Sequence, residues 1–155
     1  MTGEIDDRLT ALNIELPDAP APAANYVPFV LSGNLVFVSG QVPWIGGERN
    51  FVGKVGIDYT VEEGQEAART VALNIIAQVK AACDGDLDRV VRCIKLGGFV
   101  NCPDNFHQQP QVINGASDLM VDVFGDAGRH SRFAVGAPAL PFNVAVEIDA
   151  VFEVR

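Results

Sequence analysis

The sequence predicts an α+β domain in which two helices cover one face of a mixed β-sheet. Three observations carry that expectation. Short apolar runs with period-2 alternation stand toward both ends of the chain, two stretches of helical periodicity lie between them, and glycine- or proline-bearing turns separate the segments. Strands followed by helix, strand, helix and two further strands give a sheet whose helices can shield only one side.

Residues 1–13 carry Ile5, Leu9 and Leu12 at helical spacing, and residues 16–24 form a stiff proline-rich connector. Residues 1–25 are therefore read as an arm and residues 26–155 as a single domain. Residues 27–30 and 35–39 are apolar runs joined by Ser32-Gly33-Asn34, a hairpin signal in which glycine can supply a positive φ. Pro43 stops the second run, residues 46–50 make a polar turn, and residues 51–55 are expected to form a further short strand.

Thr60-Val-Glu-Glu63 is a capping box, and Ala68, Val71, Ala72, Ile75, Val79 and Ala82 follow it in one apolar stripe. That helix ends near Cys83, with Gly85 beyond. Residues 87–96 read as a strand that Gly97-Gly98 breaks or bulges. Pro110 opens a second helix, striped by Val112, Ile113, Ala116, Leu119, Met120, Val123 and Phe124 and closed by Gly125 and Gly128. Residues 132–155 end the chain in two strands expected to be adjacent. In the last, Val144, Val146, Ile148, Ala150, Phe152 and Val154 share one parity, while Ala145, Glu147, Asp149, Val151 and Glu153 share the other. Glu147 thus points away from the apolar comb, onto either a solvated face or a working one.

The earlier strands carry apolar residues on their second face too, Leu35 and Phe37 opposite Val36 and Val38. In so small a domain, a second apolar face is expected to be buried against another subunit.

At 155 residues the chain fits one domain, long enough to bury about two-thirds of its unfolded surface. Eleven basic against twenty acidic residues give a net charge of −9, which repels a phosphate backbone and argues against nucleic acid as a partner. No apolar run approaches the roughly 20 residues of a membrane span, and the N-terminus lacks the basic and apolar regions of a signal peptide, so a cytoplasmic protein is expected. Cys83, Cys93 and Cys102 match no metal or redox spacing, and only His107 and His130 could add imidazole. Neither metal nor cofactor nor disulfide is expected, and each cysteine reads as a small core hydrophobe.

Ser131-Arg-Phe-Ala-Val135, then Leu-Pro141 nine residues after the arginine, then Val-Glu147-Ile six residues further, resembles the C-terminal signature of the RidA/YjgF family. Tyr26, followed by a strand ending Phe-Val-Ser39-Gly40-Gln41-Val-Pro43, resembles the family's N-terminal block, and the resemblance spans residues 20–155. It implies a chorismate-mutase-like homotrimer with clefts between subunits.

The same resemblance implies an activity: a deaminase that hydrolyses reactive 2-imino (enamine) acids to 2-keto acids and ammonia. Arg132 would hold the substrate carboxylate, Glu147 would position or deprotonate the attacking water, and Tyr26 would contact substrate or water. Ser39, Gly40, Asn114 and Ala134 would line the cleft, alanine standing where many family members have cysteine. On the residues by themselves, Arg132 could equally form a salt bridge with Glu147 across the strand pair.

The cleft flanks depart from the family. The loop at residues 105–111 is longer, His130 stands where a small residue or proline is usual, and Pro138 where a small or basic one is. Phe133 and Phe142, if they reach the cleft, favour an apolar substrate side chain. The chain is placed in a divergent branch, which keeps open a non-catalytic, carboxylate-binding or regulatory trimer. An endoribonuclease is disfavoured by charge and by the lack of a histidine pair to serve as general acid and base.

Overall fold

A computed structural model describes residues 3–22 and 24–155 of the chain; the remaining arm positions, Met1, Thr2 and Ala23, lie outside the described residues. The chain runs α1 (Glu4–Ala11), β1 (Phe29–Ser32), β2 (Leu35–Gln41), β3 (Trp44–Ile45), β4 (Glu48–Arg49), α2 (Val61–Ala82), β5 (Val90–Asn101), α3 (Gln109–Phe124), β6 (Ser131–Ala137) and β7 (Val146–Val154). Five strands form one mixed sheet in the order β1-β2-β7-β5-β6, and β3 and β4 make a separate small hairpin. The expected class holds: α2 and α3 cover one face.

The topology follows from the connections. β1 and β2 join through Gly33, whose φ of 60° suits a tight turn. β5 and β6 run parallel and therefore need a crossover, which α3 supplies. β7 pairs antiparallel with both β2 and β5, filling the gap between them.

Three expectations are corrected. Residues 51–55 are not a strand: Val52 and Val55 make only isolated bridges, and Phe51 takes a φ of 53° that no extended ladder accepts. Residues 46–50 are not only a turn, because Gly46-Gly47 closes the β3–β4 hairpin. Gly97-Gly98 does not interrupt β5, which passes straight through; its irregularities lie nearer the start, between Val90 and Arg92 and between Cys93 and Lys95. Gly98 is small because Ile113 of α3 occupies the space a side chain would need.

The capping box forms as expected, Thr60 Oγ1 accepting from Glu63 N and Glu63 Oε1 from Thr60 N, each at 3.1 Å. The helix stripes meet Val36, Val38, Leu96, Val100, Ile148 and Phe152 of the sheet in one buried cluster. Each large side chain fully buried there contributes roughly 1.5–3 kcal/mol. The three cysteines are buried and unbridged, and burial pushes the Cys93 thiol up to about 12.

The arm is laid against this domain. Leu9 is buried, Lys80 pairs with Asp6 at 3.0 Å, and Gln78 Nε2 donates to the Pro20 carbonyl at 2.6 Å. Asp88 caps α1 from a distant part of the chain, accepting from Glu4 N at 2.8 Å and Ile5 N at 2.9 Å. Those bonds, the one from Ile5 first, hold its carboxyl below the usual range.

The second sheet face is open. Val30, Phe37, Phe99 and Val135 there keep between 39 and 51% of their surface exposed, a scattered apolar face of the kind that marks an interface. Among the described residues, no helix is long and apolar enough to cross a membrane.

α2 and α3 approach closely where glycines allow it. Gly64 faces Val112, and a side-chain carbon at Gly115 would collide with the Gln65 backbone carbonyl. In an isolated helix, glycine to alanine gains up to about 1 kcal/mol. Here Gly115→Ala is expected to lose about 1–3 kcal/mol in denaturant unfolding, the scale of overpacking; a more stable variant would show that the helices do not touch there.

Candidate functional site

Glu147 sits on β7 opposite Phe99, on the open side of the sheet. Its carboxyl faces a cavity of about 130 Å³, walled by the arm residues Pro20, Ala21 and Pro22 and by Tyr26, Pro28, Gly40, Gln41, Val42, Trp44, Pro141 and Phe142. Apolar walls withdraw water without replacing its hydrogen bonds. Burial therefore raises the Glu147 pKa, and the charge of Asp149 raises it further. Among the described residues no donor satisfies this carboxylate.

A β-bulge brings Gly40 to it. Val38 pairs with Ala150 and Gln41 with Ile148, so β2 carries one extra residue at Ser39-Gly40. A side-chain carbon at Gly40 would lie 2.5 Å from Glu147 Oε1, so only glycine leaves the carboxylate in place. Ser39 is not in the cavity wall. Its hydroxyl donates to the Val27 carbonyl at 2.7 Å and its amide to the Pro28 carbonyl at 2.9 Å, which ties down the segment carrying Tyr26.

The remaining walls come from residues that the sequence reading assigned no role, apart from Phe142. Phe142 and Asn143 adopt left-handed φ values of 56° and 57°, an unfavourable conformation held by surrounding contacts. Buried Asn101 supplies them, donating through Nδ2 to Asn143 Oδ1 at 3.0 Å and the Val144 carbonyl at 3.1 Å. Phe142 packs on Trp44 with centroids 4.8 Å apart, and the Arg49 guanidinium lies 5.0 and 5.5 Å from the two rings. The available signals were the proline cluster of the arm and the single tryptophan.

Arg132 lies elsewhere. It is on β6, an edge strand, on the side facing α3, where NH1 donates to Ser117 Oγ at 3.0 Å and NH2 to the Pro110 carbonyl at 3.4 Å. Pro110, Asn114 and Ser117 fall at i, i+4 and i+7, one stripe of α3, so Asn114 stands between the two groups that hold the guanidinium. Ala134, two residues on along β6, shares its side of the strand. Two of five guanidinium N–H groups are engaged, and no described carboxylate pairs with Arg132.

Contrary to the expectation of adjacent strands, Arg132 and Glu147 are separated by β5. Arg132 pairs with Leu96 and Glu147 with Phe99, so two strand spacings and three residues put their Cα atoms about 14 Å apart. They also face opposite sides of the sheet. A salt bridge between them within one chain is excluded. The structure brings together Glu147, Tyr26 and Gly40 on one side, and Arg132, Asn114 and Ala134 on the other. Phe133 points to the open face, where it meets Phe99 edge-on at 5.4 Å.

A family described as "YjgF/chorismate_mutase-like, putative endoribonuclease" matches residues 6–153. The chain belongs to this family. Protein TCP17 of Trypanosoma cruzi is 50% identical over 157 residues, covering 99% of this chain and 96% of that protein. The crystal structure of Atu1372 from Agrobacterium tumefaciens, a protein of unknown function, superposes with a TM-score of 0.91 at 52% identity, covering 97% of this chain and 92% of that one. A Shewanella oneidensis structure titled "putative endoribonuclease" gives 0.94 at 38% identity, covering 98% of this chain and 100% of that one.

The buried carboxyl makes a signed prediction. A carboxyl whose pKa is higher in the folded state destabilises that state as pH rises through and above the ordinary carboxylate range, where the unfolded chain ionises freely. Glu147→Gln should therefore raise the melting temperature at neutral pH, with the gain vanishing in acid, where both side chains are neutral. A gain independent of pH would contradict the desolvated environment. Gly40→Ala should leave the fold intact and displace the carboxylate, which carboxyl NMR would register as a return of the Glu147 titration toward its ordinary range.

Proposed function

We propose that the protein is a metal-independent deaminase that hydrolyses 2-imino acids and their enamine tautomers to 2-keto acids and ammonia in the cytoplasm. On this reading it works as a homotrimer whose sites are each shared by two protomers. The observation that supports it most is the division of chemistry over the fold. A cation oriented by α3 lacks a carboxylate partner among the described residues, and a desolvated carboxyl lacks a donor. Each is what the other's ligand would need.

Arg132 presents a planar fork that matches a substrate carboxylate, a geometry lysine does not reproduce. Glu147, its pKa raised by burial, is a stronger base than an ordinary carboxylate for taking a proton from water as the oxygen attacks the imine carbon. Attack on the iminium form of the substrate gives a neutral carbinolamine; the same carboxyl then returns its proton to nitrogen and takes up the hydroxyl proton as the C–N bond breaks, leaving the keto acid and ammonia, which leaves with that proton as ammonium. Tyr26 hydroxyl is available to orient the water or the nitrogen. Imines hydrolyse readily in water, so orientation and one acid–base group suffice for this chemistry. The prolines, Trp44 and Phe142 around Glu147 favour an apolar substrate side chain.

A single chain cannot merge the half-sites, whereas a head-to-tail ring can set the β6 edge of one protomer against the open face of the next and cover its apolar residues. The description of the family as endoribonucleases is the other reading. The −9 charge and the commitment of both His130 nitrogens to neighbours weigh against it. A carboxylate-binding trimer without turnover would share Arg132 but release no ammonium.

The assay is ammonium release from a 2-imino acid generated in situ. Arg132→Lys should cost about 1.5–3 kcal/mol of transition-state stabilisation, a rate loss of roughly ten- to one-hundred-and-fiftyfold. Arg132→Ala should lose more while the fold persists; full activity with alanine there would end the catalytic reading. Light scattering should give three times the 16.5 kDa chain mass. Co-expressing Arg132→Ala with Glu147→Gln should restore about a quarter of wild-type activity, the random-mixing fraction for a head-to-tail ring. No recovery from the mixture would rule out the shared site.

A further inference from the structure

His130 and Ser117 form a directional chain ending on Arg132. His130 Nδ1 lies 2.6 Å from the Gly128 carbonyl oxygen, which can only accept, so Nδ1 carries the hydrogen. In that tautomer Nε2 is an acceptor, and it lies 2.9 Å from Ser117 Oγ, which therefore donates to it. With its hydrogen so committed, Ser117 Oγ turns its lone pairs to Arg132 NH1, 3.0 Å away. The Pro110 carbonyl accepts from the other terminal nitrogen at 3.4 Å, so the guanidinium plane is held at two points against one stripe of α3.

We infer that His130 and Ser117 are positioning residues that set the plane of the Arg132 guanidinium for a planar carboxylate. The order of the chain matters: without an acceptor at His130, the Ser117 hydroxyl is free to turn, for example onto a carbonyl of its own helix, and no longer presents a fixed lone pair to the arginine. A rotating guanidinium keeps its charge but loses the fixed alignment that two parallel hydrogen bonds require. His130 in this sequence is thereby more than a strand-edge imidazole. The inference rests on the reading of Arg132 as the carboxylate holder.

Calorimetric titration of the full-length protein with 2-ketobutyrate tests it, alongside steady-state imine hydrolysis. Ser117→Ala and His130→Ala should each weaken binding by about five- to tenfold, the loss of one hydrogen bond at the low end of its range. Ser117→Thr, which keeps the hydroxyl, should bind within about twofold of wild type on the same scale. The double variant should be no weaker than the worse single one, because the two residues act through one chain. KM should rise while kcat changes little, since a better-oriented carboxylate contact serves ground and transition states alike.

Wild-type affinity in Ser117→Ala, together with loss of binding in Arg132→Ala, would overturn this inference and leave the Arg132 assignment standing. Losses that multiply in the double variant would also overturn it. Undiminished binding in Arg132→Ala would overturn the assignment itself and the inference with it. Should Ser117→Ala melt early, His130→Ala, at a half-buried position outside the helix, carries the comparison.

Discussion

The insertion of β5 between β6 and β7 governs the chemistry of this fold. A strand presents successive side chains to opposite faces, and a sheet separates neighbouring strands by a fixed spacing. With β5 in parallel register to β6 and antiparallel register to β7, Arg132 and Glu147 acquire different faces, different strands and positions three residues apart along the strands. No side-chain rotation brings them together. A chemistry that needs both must be completed by another copy of the chain, and the open apolar face beside Glu147 is available for one.

Around Glu147 the fold accepts local cost. A carboxyl walled by prolines and aromatic rings, and without a donor among the described residues, gives up hydration. Phe142 and Asn143 hold left-handed backbone, stabilised by Asn101 from the end of β5. A desolvated carboxyl and two left-handed residues meeting at one cavity fit the pattern expected where function competes with stability. The arm contributes directly, since Pro20, Ala21 and Pro22 complete the wall and Gln78 anchors them from α2.

Around Arg132 the arrangement is the reverse. The guanidinium is supported by a neutral hydroxyl and a carbonyl, which orient it and leave its charge uncompensated. In a protein of net charge −9, a single oriented arginine suits a small anion better than a polyanion.

Both helices with their caps and stripes, the β1–β2 hairpin, the last strand and the parity of Glu147 were legible in the sequence. They depend on spacing within a few residues: a capping box, a 3.6 period, a two-residue alternation. The family was legible for a related reason, since Arg132, Pro141 and Glu147 keep their intervals in a contiguous stretch. Other features had no such trace. That β6 and β7 are not neighbours, that Gly40 is small because Glu147 lies against it, that Ser39 secures the Tyr26 segment and that Ser117 and His130 converge on Arg132 all join residues far apart in the chain. Local periodicity determined what each segment is and which way its side chains point. Strand order and helix packing, set by burial of the whole chain at once, decided which of those side chains meet.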